Sequence, residues 1–174
     1  MTLAYKLAYK TVPTEIKMQR RQFLSHSLAG LMGTTLLGAG SAFAYEVTKS
    51  DADWKKQLSP AAYDVLRHEG TEAPFTSPLN NEHRKGIFAC AGCALDLFSS
   101  DTKFDSGTGW PSFWKPLDKA VEDKSDKSLF MSRTAVNCRR CGGHLGHVFE
   151  DGPKPTGLRY CMNGVAMTFK TAKM

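Results

Sequence analysis

Five cysteines hold most of the chemistry this chain could perform, and four of them form two pairs of one design. Cys90-Ala-Gly-Cys93 is followed forty-four residues later by Cys138-Arg-Arg-Cys141, while Cys161 stands apart. A Cys-x-x-Cys turn aims two thiolates at one point, and two such turns close a tetrahedral shell around zinc. Gly92, Gly142 and Gly143 let the backbone wrap its amides around those sulfurs. The competing uses of the same four residues are two disulfides, or redox chemistry at each pair. A zinc held by four thiolates has no open position, so it builds structure and leaves reaction chemistry to other residues.

Cys161 is the candidate for that chemistry, against the alternatives of inert core or a link between chains. At strand spacing, Arg159, Cys161 and Asn163 project from one face. A guanidinium there favours thiolate, the attacking form of cysteine. His144 and His147 flank a glycine three residues apart, and imidazole is the side chain suited to proton transfer near neutral pH. They would serve equally as metal ligands, had the cysteines not already completed a shell. Trp110, stiffened by Pro111, offers an aromatic wall or plain core.

Short elements must position these groups. Ser50 to Gly70 reads as two helices, with Asp51 or Asp53 capping the first, Ser59-Pro60 starting the second and Gly70 ending it. Residues 74–83 read as a loop. Beyond them, apolar runs at 86–90, 94–98, 128–137, 148–149, 158–162 and 165–169 are punctuated by glycine and predict short strands. The charged segment 118–127 reads as a turn. No repeat, low-complexity tract or second domain is apparent.

Residues 1–44 read as an export signal. Arg20-Arg21 precedes a stretch from Gln22 to Tyr45 without Asp, Glu, Lys or Arg, closed by the small-x-small motif Ala42-Phe-Ala44. Met18-Gln-Arg-Arg-Gln-Phe-Leu resembles the twin-arginine signal, which exports folded proteins through its own machinery to the periplasm. Met18 is then an alternative start, and residues 45–174 form the single functional domain. A retained anchor is the rival reading of the uncharged stretch. Of the +6 formal charge, +4 lies in residues 1–44, and a body carrying +2 argues against nucleic acid as partner.

Three further segments accompany the cysteines: Phe104-Asp-Ser-Gly-Thr-Gly-Trp-Pro-Ser-Phe113, His144-Leu-Gly-His-Val-Phe-Glu-Asp-Gly-Pro153 and Arg159-Tyr-Cys-Met-Asn163. With the two knuckles, they resemble the B-type methionine sulfoxide reductases over about residues 54–169. The resemblance implies a mainly β, α+β fold of antiparallel sheets of the β-tent type, with short N-terminal helices. It implies one structural zinc on Cys90, Cys93, Cys138 and Cys141, far from the active site. It makes Cys161 the nucleophile, with His144, His147 and Asn163 as catalytic partners. Trp110, Arg159 and Phe149 fall on the substrate side, although Phe149, like Phe113 and Trp114, reads as packing from its type alone. Asp151 is expected in a turn, hydrogen-bonded to the histidine segment.

The implied reaction reduces the R epimer of methionine sulfoxide in oxidised envelope proteins. Cys161 becomes a sulfenic acid as His144 or His147 protonates the sulfoxide oxygen, and Trp110 packs on the methyl group. Many members of the family carry a resolving cysteine where this chain has Thr108. A hydroxyl cannot form a disulfide, so an external, thioredoxin-like reductant is expected. The chain is expected to act as a monomer. The reading from a different class is a zinc-stabilised binding module without chemistry.

Overall fold

A computed structural model describes residues 45–126 and 133–172. The expected export signal at residues 1–44 and the first part of the strand expected at 128–137 lie outside the described residues. Among the described residues, no helix is long and apolar enough to cross a membrane.

The chain enters through two short helices, α1 (Asp51–Gln57) and α2 (Pro60–His68). Ser50, not Asp51 or Asp53, caps α1. Its hydroxyl oxygen accepts the Asp53 N–H and its own proton goes to the Asp53 carboxylate. Ser59 caps α2 ahead of Pro60, as expected. At the other end Glu69 takes the left-handed position at φ 58°, and Gly70 N–H bonds back to the Asp64 carbonyl. The segment read as a loop holds one turn of 3-10 helix, Pro78–Asn81.

Two antiparallel sheets follow. Strands β1 (Gly86–Cys90), β2 (Asp96–Ser99) and β9 (Met167–Thr171) form a three-stranded sheet in the order β2-β1-β9. Strands β3 (Lys103–Phe104), β4 (Ser112–Phe113), β5 (Val121–Asp126), β6 (Arg133–Cys138), β7 (His144–Phe149) and β8 (Arg159–Met162) form a six-stranded sheet. Its order, β3-β4-β8-β7-β6-β5, puts β8 and β7 in the middle. The fold is mainly β and antiparallel with short N-terminal helices, as the resemblance implied.

Strand β5 corrects the reading of 118–127 as a turn. It pairs with β6 along its whole length, Val121 opposite Cys138 and Asp126 opposite Arg133. It is the outer strand of its sheet, so charged side chains reach solvent and discourage pairing with another chain. Charge there marks an edge, not a turn.

Aromatic side chains join the two sheets. Phe88 and Phe98 from the smaller sheet meet Phe113 from the larger, the last two stacked with ring centroids 4.4 Å apart. Leu97, Val136, Leu145 and Met162 complete a fully buried centre, and α2 packs on β7. Burying these side chains contributes about 1.5–3 kcal/mol each. It also holds β7 and β8, the strands carrying the candidate histidines and Cys161, from behind.

Candidate active site and zinc-binding cluster

Cys90, Cys93, Cys138 and Cys141 come together with all four sulfurs within 4.8 Å of one another. Cys90 Sγ lies 3.7 Å from Cys141 Sγ, and Cys93 Sγ lies 3.5 Å from Cys138 Sγ. In a tetrahedral shell with Zn–S bonds of about 2.3 Å, sulfurs stand about 3.8 Å apart, whereas a disulfide needs about 2.05 Å. The cysteines are free thiols at metal-shell spacing.

The two turns are built alike. Ala94 N–H bonds to the Cys90 carbonyl and Gly142 N–H to the Cys138 carbonyl, both at 2.8 Å, with Ala94 and Gly142 both in the left-handed region. Four thiols so close compete for negative charge. A hydrogen bond with Cys138 leads the interactions that push Cys90 up, and one with the same residue leads those that pull Cys93 down. A divalent cation resolves that conflict by letting all four ionise.

Cys161 sits on β8 at the centre of the larger sheet, half-buried, with Ser112 opposite it on β4 and His147 opposite it on β7. A cavity of about 120 Å³ opens beside it, lined by Trp110, His147, Phe149 and Asn163 together with Thr71 and Arg133. The cavity thus gathers Cys161, His147, Asn163, Trp110 and Phe149 from the expected site.

His144 stands behind this wall. It is buried, its Nδ1 is 3.3 Å from Asn137 Oδ1, and its ring meets His147 edge-on with centroids 5.2 Å apart. Residues three apart in a regular strand point to opposite faces. A bulge reconciles them: Asn137 pairs with His144 and Val136 with Gly146, leaving Leu145 as the extra residue. Gly146 is required by close approach, since a Cβ there would lie 2.1 Å from the Cys161 carbonyl oxygen.

Arg159 is almost buried and clamped. Its Nε and Nη2 donate to the two Asp151 carboxylate oxygens at 2.9 and 2.8 Å, and its guanidinium carbon lies 4.4 Å from the Phe149 ring centre. Asp151 therefore serves Arg159, where a bond to the histidine segment was expected. A forked guanidinium matches a carboxylate better than an imidazole can. The Asp151 carboxylate leads, and the Cys161 sulfur adds to, the interactions that hold Arg159 protonated.

Glu72 was missed by the sequence reading. Its N–H donates to Asn163 Oδ1 at 2.9 Å and its carbonyl accepts Trp110 Nε1–H at 3.1 Å. Its carboxylate accepts the N–H groups of Gly164 and Val165. Asn163 Nδ2 donates to the Leu145 carbonyl at 3.1 Å, so this amide ties the Glu72 segment to the β7 bulge. Backbone atoms do half of this work, and no residue-type signal announces them. Arg133 was also missed. It lies two residues from Ala135, the register partner of His147, and that relation exists only once the strands are paired.

A half-buried cysteine on a central strand, a histidine in register with it and an aromatic wall are the parts of a candidate thiol-dependent site on a β scaffold with a four-cysteine cluster. The SelR domain family matches residues 58–171. The chain is similar to proteins named peptide methionine sulfoxide reductase MsrB from Leptospira interrogans serovar Lai, Agrobacterium fabrum and Methanosarcina barkeri. Identities are 56%, 56% and 57%, over 72% of this chain in each case and 97%, 93% and 89% of those proteins. The chain belongs to the SelR, or MsrB, family of methionine sulfoxide reductases. The four clustered cysteines are positioned to bind a metal ion, and the family carries a structural zinc.

Proposed function

We propose that this chain reduces the R epimer of methionine sulfoxide in oxidised proteins, with Cys161 as nucleophile. The observation that carries this reading is Cys161 facing His147 across one ladder rung, beside a cavity walled by Trp110 and Phe149.

The substrate's methyl group packs on the Trp110 ring, whose Nε1–H is committed to the Glu72 carbonyl and so fixes the plane of the wall. Cys161 thiolate attacks the sulfoxide sulfur. His147, which lines the cavity, gives the oxygen its proton, and His144 supports it from the buried side. The protonated oxygen then passes from the substrate sulfur to Cys161 as the sulfur–sulfur bond made by the attack breaks, so methionine leaves and Cys161 carries a sulfenic acid. Arg159, held by Asp151, places a positive charge on the same strand as Cys161, two residues away. Asn163 closes the cavity floor and holds the Glu72 segment in place.

Zinc bound by Cys90, Cys93, Cys138 and Cys141 would supply cross-linking alone, since four thiolates leave no open position. Thr108 offers no second thiol, so an external thiol reductant of thioredoxin type returns Cys161 to its resting state. In this reading the chain acts as a monomer. Residues 1–44, with Arg20-Arg21, the uncharged stretch and Ala42-Phe-Ala44, serve in this reading as a twin-arginine export signal that delivers residues 45–174 to the periplasm.

The test is reduction of separately prepared R and S sulfoxides of a blocked methionine, with dithiothreitol, by the native chain and by Cys161→Ser. Activity on the R epimer alone, abolished by the substitution, is the expected result. Zinc-replete protein that reduces neither epimer would show that the scaffold binds without chemistry.

A further inference from the structure

Phe75 is the one large apolar side chain left exposed among the described residues, at 73%. A single exposed apolar residue ordinarily needs no explanation, but this one sits where its own backbone resists it. Its φ is 64°, the left-handed region that bulky side chains avoid and glycine or asparagine would take more readily. The Gly109 carbonyl holds the segment there, accepting the Phe75 N–H at 2.7 Å and Asn80 Nδ2–H at 2.9 Å. The ring lies against Gly109, where an added Cβ would stand 2.9 Å from Phe75 Cδ2. Neither core packing nor backbone preference accounts for an aromatic residue at this position.

What Phe75 does face is a second cavity. It holds about 160 Å³, and its apolar walls are Phe75, Phe104, Trp110 and Pro111. A cavity of about 150 Å³ accepts a benzene ring. Polar groups at the rim serve the frame: Lys103 Nζ donates to the Asn80 carbonyl at 2.8 Å, and Asp105 Oδ1 accepts the Gly107 N–H at 2.9 Å. Trp110 lines this cavity and also the one beside Cys161. Extended residues advance about 3.3–3.6 Å each, so a residue one or two positions from a bound sulfoxide crosses the one side chain common to both cavities.

We propose that this second cavity is a subsite for an apolar side chain, aromatic above all, one or two positions from the methionine sulfoxide of a protein substrate. Phe75 and Trp110 are its specificity-determining walls. The subsite deepens, and rests on, the reading of Cys161 as the nucleophile toward protein-bound sulfoxide. Aromatic rings meet in offset or edge-on pairs that add to the gain from burial alone. Phe75 is held in place before the substrate arrives, so contact removes it from water with little ordering cost. Apolar neighbours of a methionine are buried in a folded protein, which makes locally unfolded oxidised chains the substrates this subsite favours.

The experiment uses the zinc-loaded full chain with dithiothreitol. Its substrates are a blocked glycine peptide with the R sulfoxide at the centre, and the same peptide with one glycine replaced by phenylalanine, position by position. The native chain is expected to give kcat/KM about five- to tenfold higher for phenylalanine at one of these positions, the equivalent of burying part of one aromatic side chain. Phe75→Ala should bring that ratio close to one, and Phe75→Leu should keep part of it. Phe75→Gly, which suits the left-handed backbone, should lose the ratio as well and guards against a loss of fold. Dividing by the all-glycine peptide cancels any effect of a substitution on folding or on the chemical step. No preference in the native chain, or a preference that survives Phe75→Ala and Phe75→Gly, overturns this inference and leaves the proposed reaction standing. Failure of the native chain to reduce any of these peptides overturns both.

Discussion

Gly146→Ala is the substitution that most directly tests how Cys161, the proposed nucleophile, is positioned. A Cβ at 146 would stand 2.1 Å from the Cys161 carbonyl oxygen and 3.0 Å from both Met162 Cα and Met162 Cε. Ordinary contact begins at 3.4 Å, so β8 must retreat from β7 by about 1 Å, and two of those three atoms are backbone with no rotamer to relieve them. Overpacking of this kind costs about 1–3 kcal/mol of stability. Functionally, Cys161 moves away from His147, its partner across the same ladder. A displacement of about 1 Å between reacting groups lowers rates about a hundredfold. The assay is kcat/KM for a blocked methionine R-sulfoxide, with zinc content and Tm measured alongside. Gly157→Ala is the control: φ is +73° there and nothing lies within 4 Å of the added carbon, so strain alone destabilises the chain by about 1 kcal/mol. Its kcat/KM should match that of the native chain. If Gly146→Ala also keeps native kcat/KM, the β7–β8 rung does not set the geometry of the reaction.

Glu72→Ala leaves the Gly164 and Val165 N–H groups without their carboxylate, at a cost of about 1–3 kcal/mol for each that stays buried. By loosening the Trp110 anchor it should raise KM more than it lowers kcat, and Glu72→Gln, which keeps an acceptor oxygen, should do less of both. Cys138→Ser should lower bound zinc by metal analysis and lower Tm by several degrees, since metal binding to such a cluster contributes directly to folding. Asp151→Asn tests the Arg159 clamp through pH, because the guanidinium holds the Asp151 carboxyl below its ordinary value. A depressed carboxyl stabilises the fold fully above its unfolded pKa of about 3.9 and loses that contribution as pH falls through the lower folded value. Urea midpoints of native and Asp151→Asn protein should therefore differ by a constant amount above about pH 5 and converge in stronger acid.

What the sequence reveals here depends on whether a role is tied to residue type. Cys-x-x-Cys spacing is a geometric requirement of two-thiolate turns, so the four-sulfur cluster is legible before any fold is known. Ser59-Pro60 marks a helix start for the same kind of reason, as only certain residues fit a cap. The Val121–Asp126 strand defeats that logic because its charges answer to solvent at a sheet edge and not to strand propensity. The meeting of His144 with His147 depends on one extra residue in a ladder, which no pattern of types declares. Glu72 works half through its backbone, and Asp151 chose a partner eight residues away over the nearer histidine segment.

The metal cluster and the reaction site share strands without sharing atoms. Strand β1 ends at Cys90 and β6 ends at Cys138, and the turn from Cys138 to Cys141 leads into His144 at the start of β7. Zinc bound there ties the smaller sheet to the hairpin that presents both histidines, and Asn137, one residue before the turn, holds His144 directly. Cys161 is secured independently. Its neighbour Met162 donates to the Pro111 carbonyl on the β4 side at 2.9 Å, while Gly146 admits β7 closely on the other. The proposed nucleophile thus sits within β8, gripped from both flanks, and a bound metal would stiffen the far end of the strand that carries its proposed proton donor. Catalytic groups held by packed, regular elements keep their geometry better than groups on loops. Damage to the cluster should therefore reach the histidines first, by loosening one end of β7, and reach Cys161 only when the sheet itself gives way.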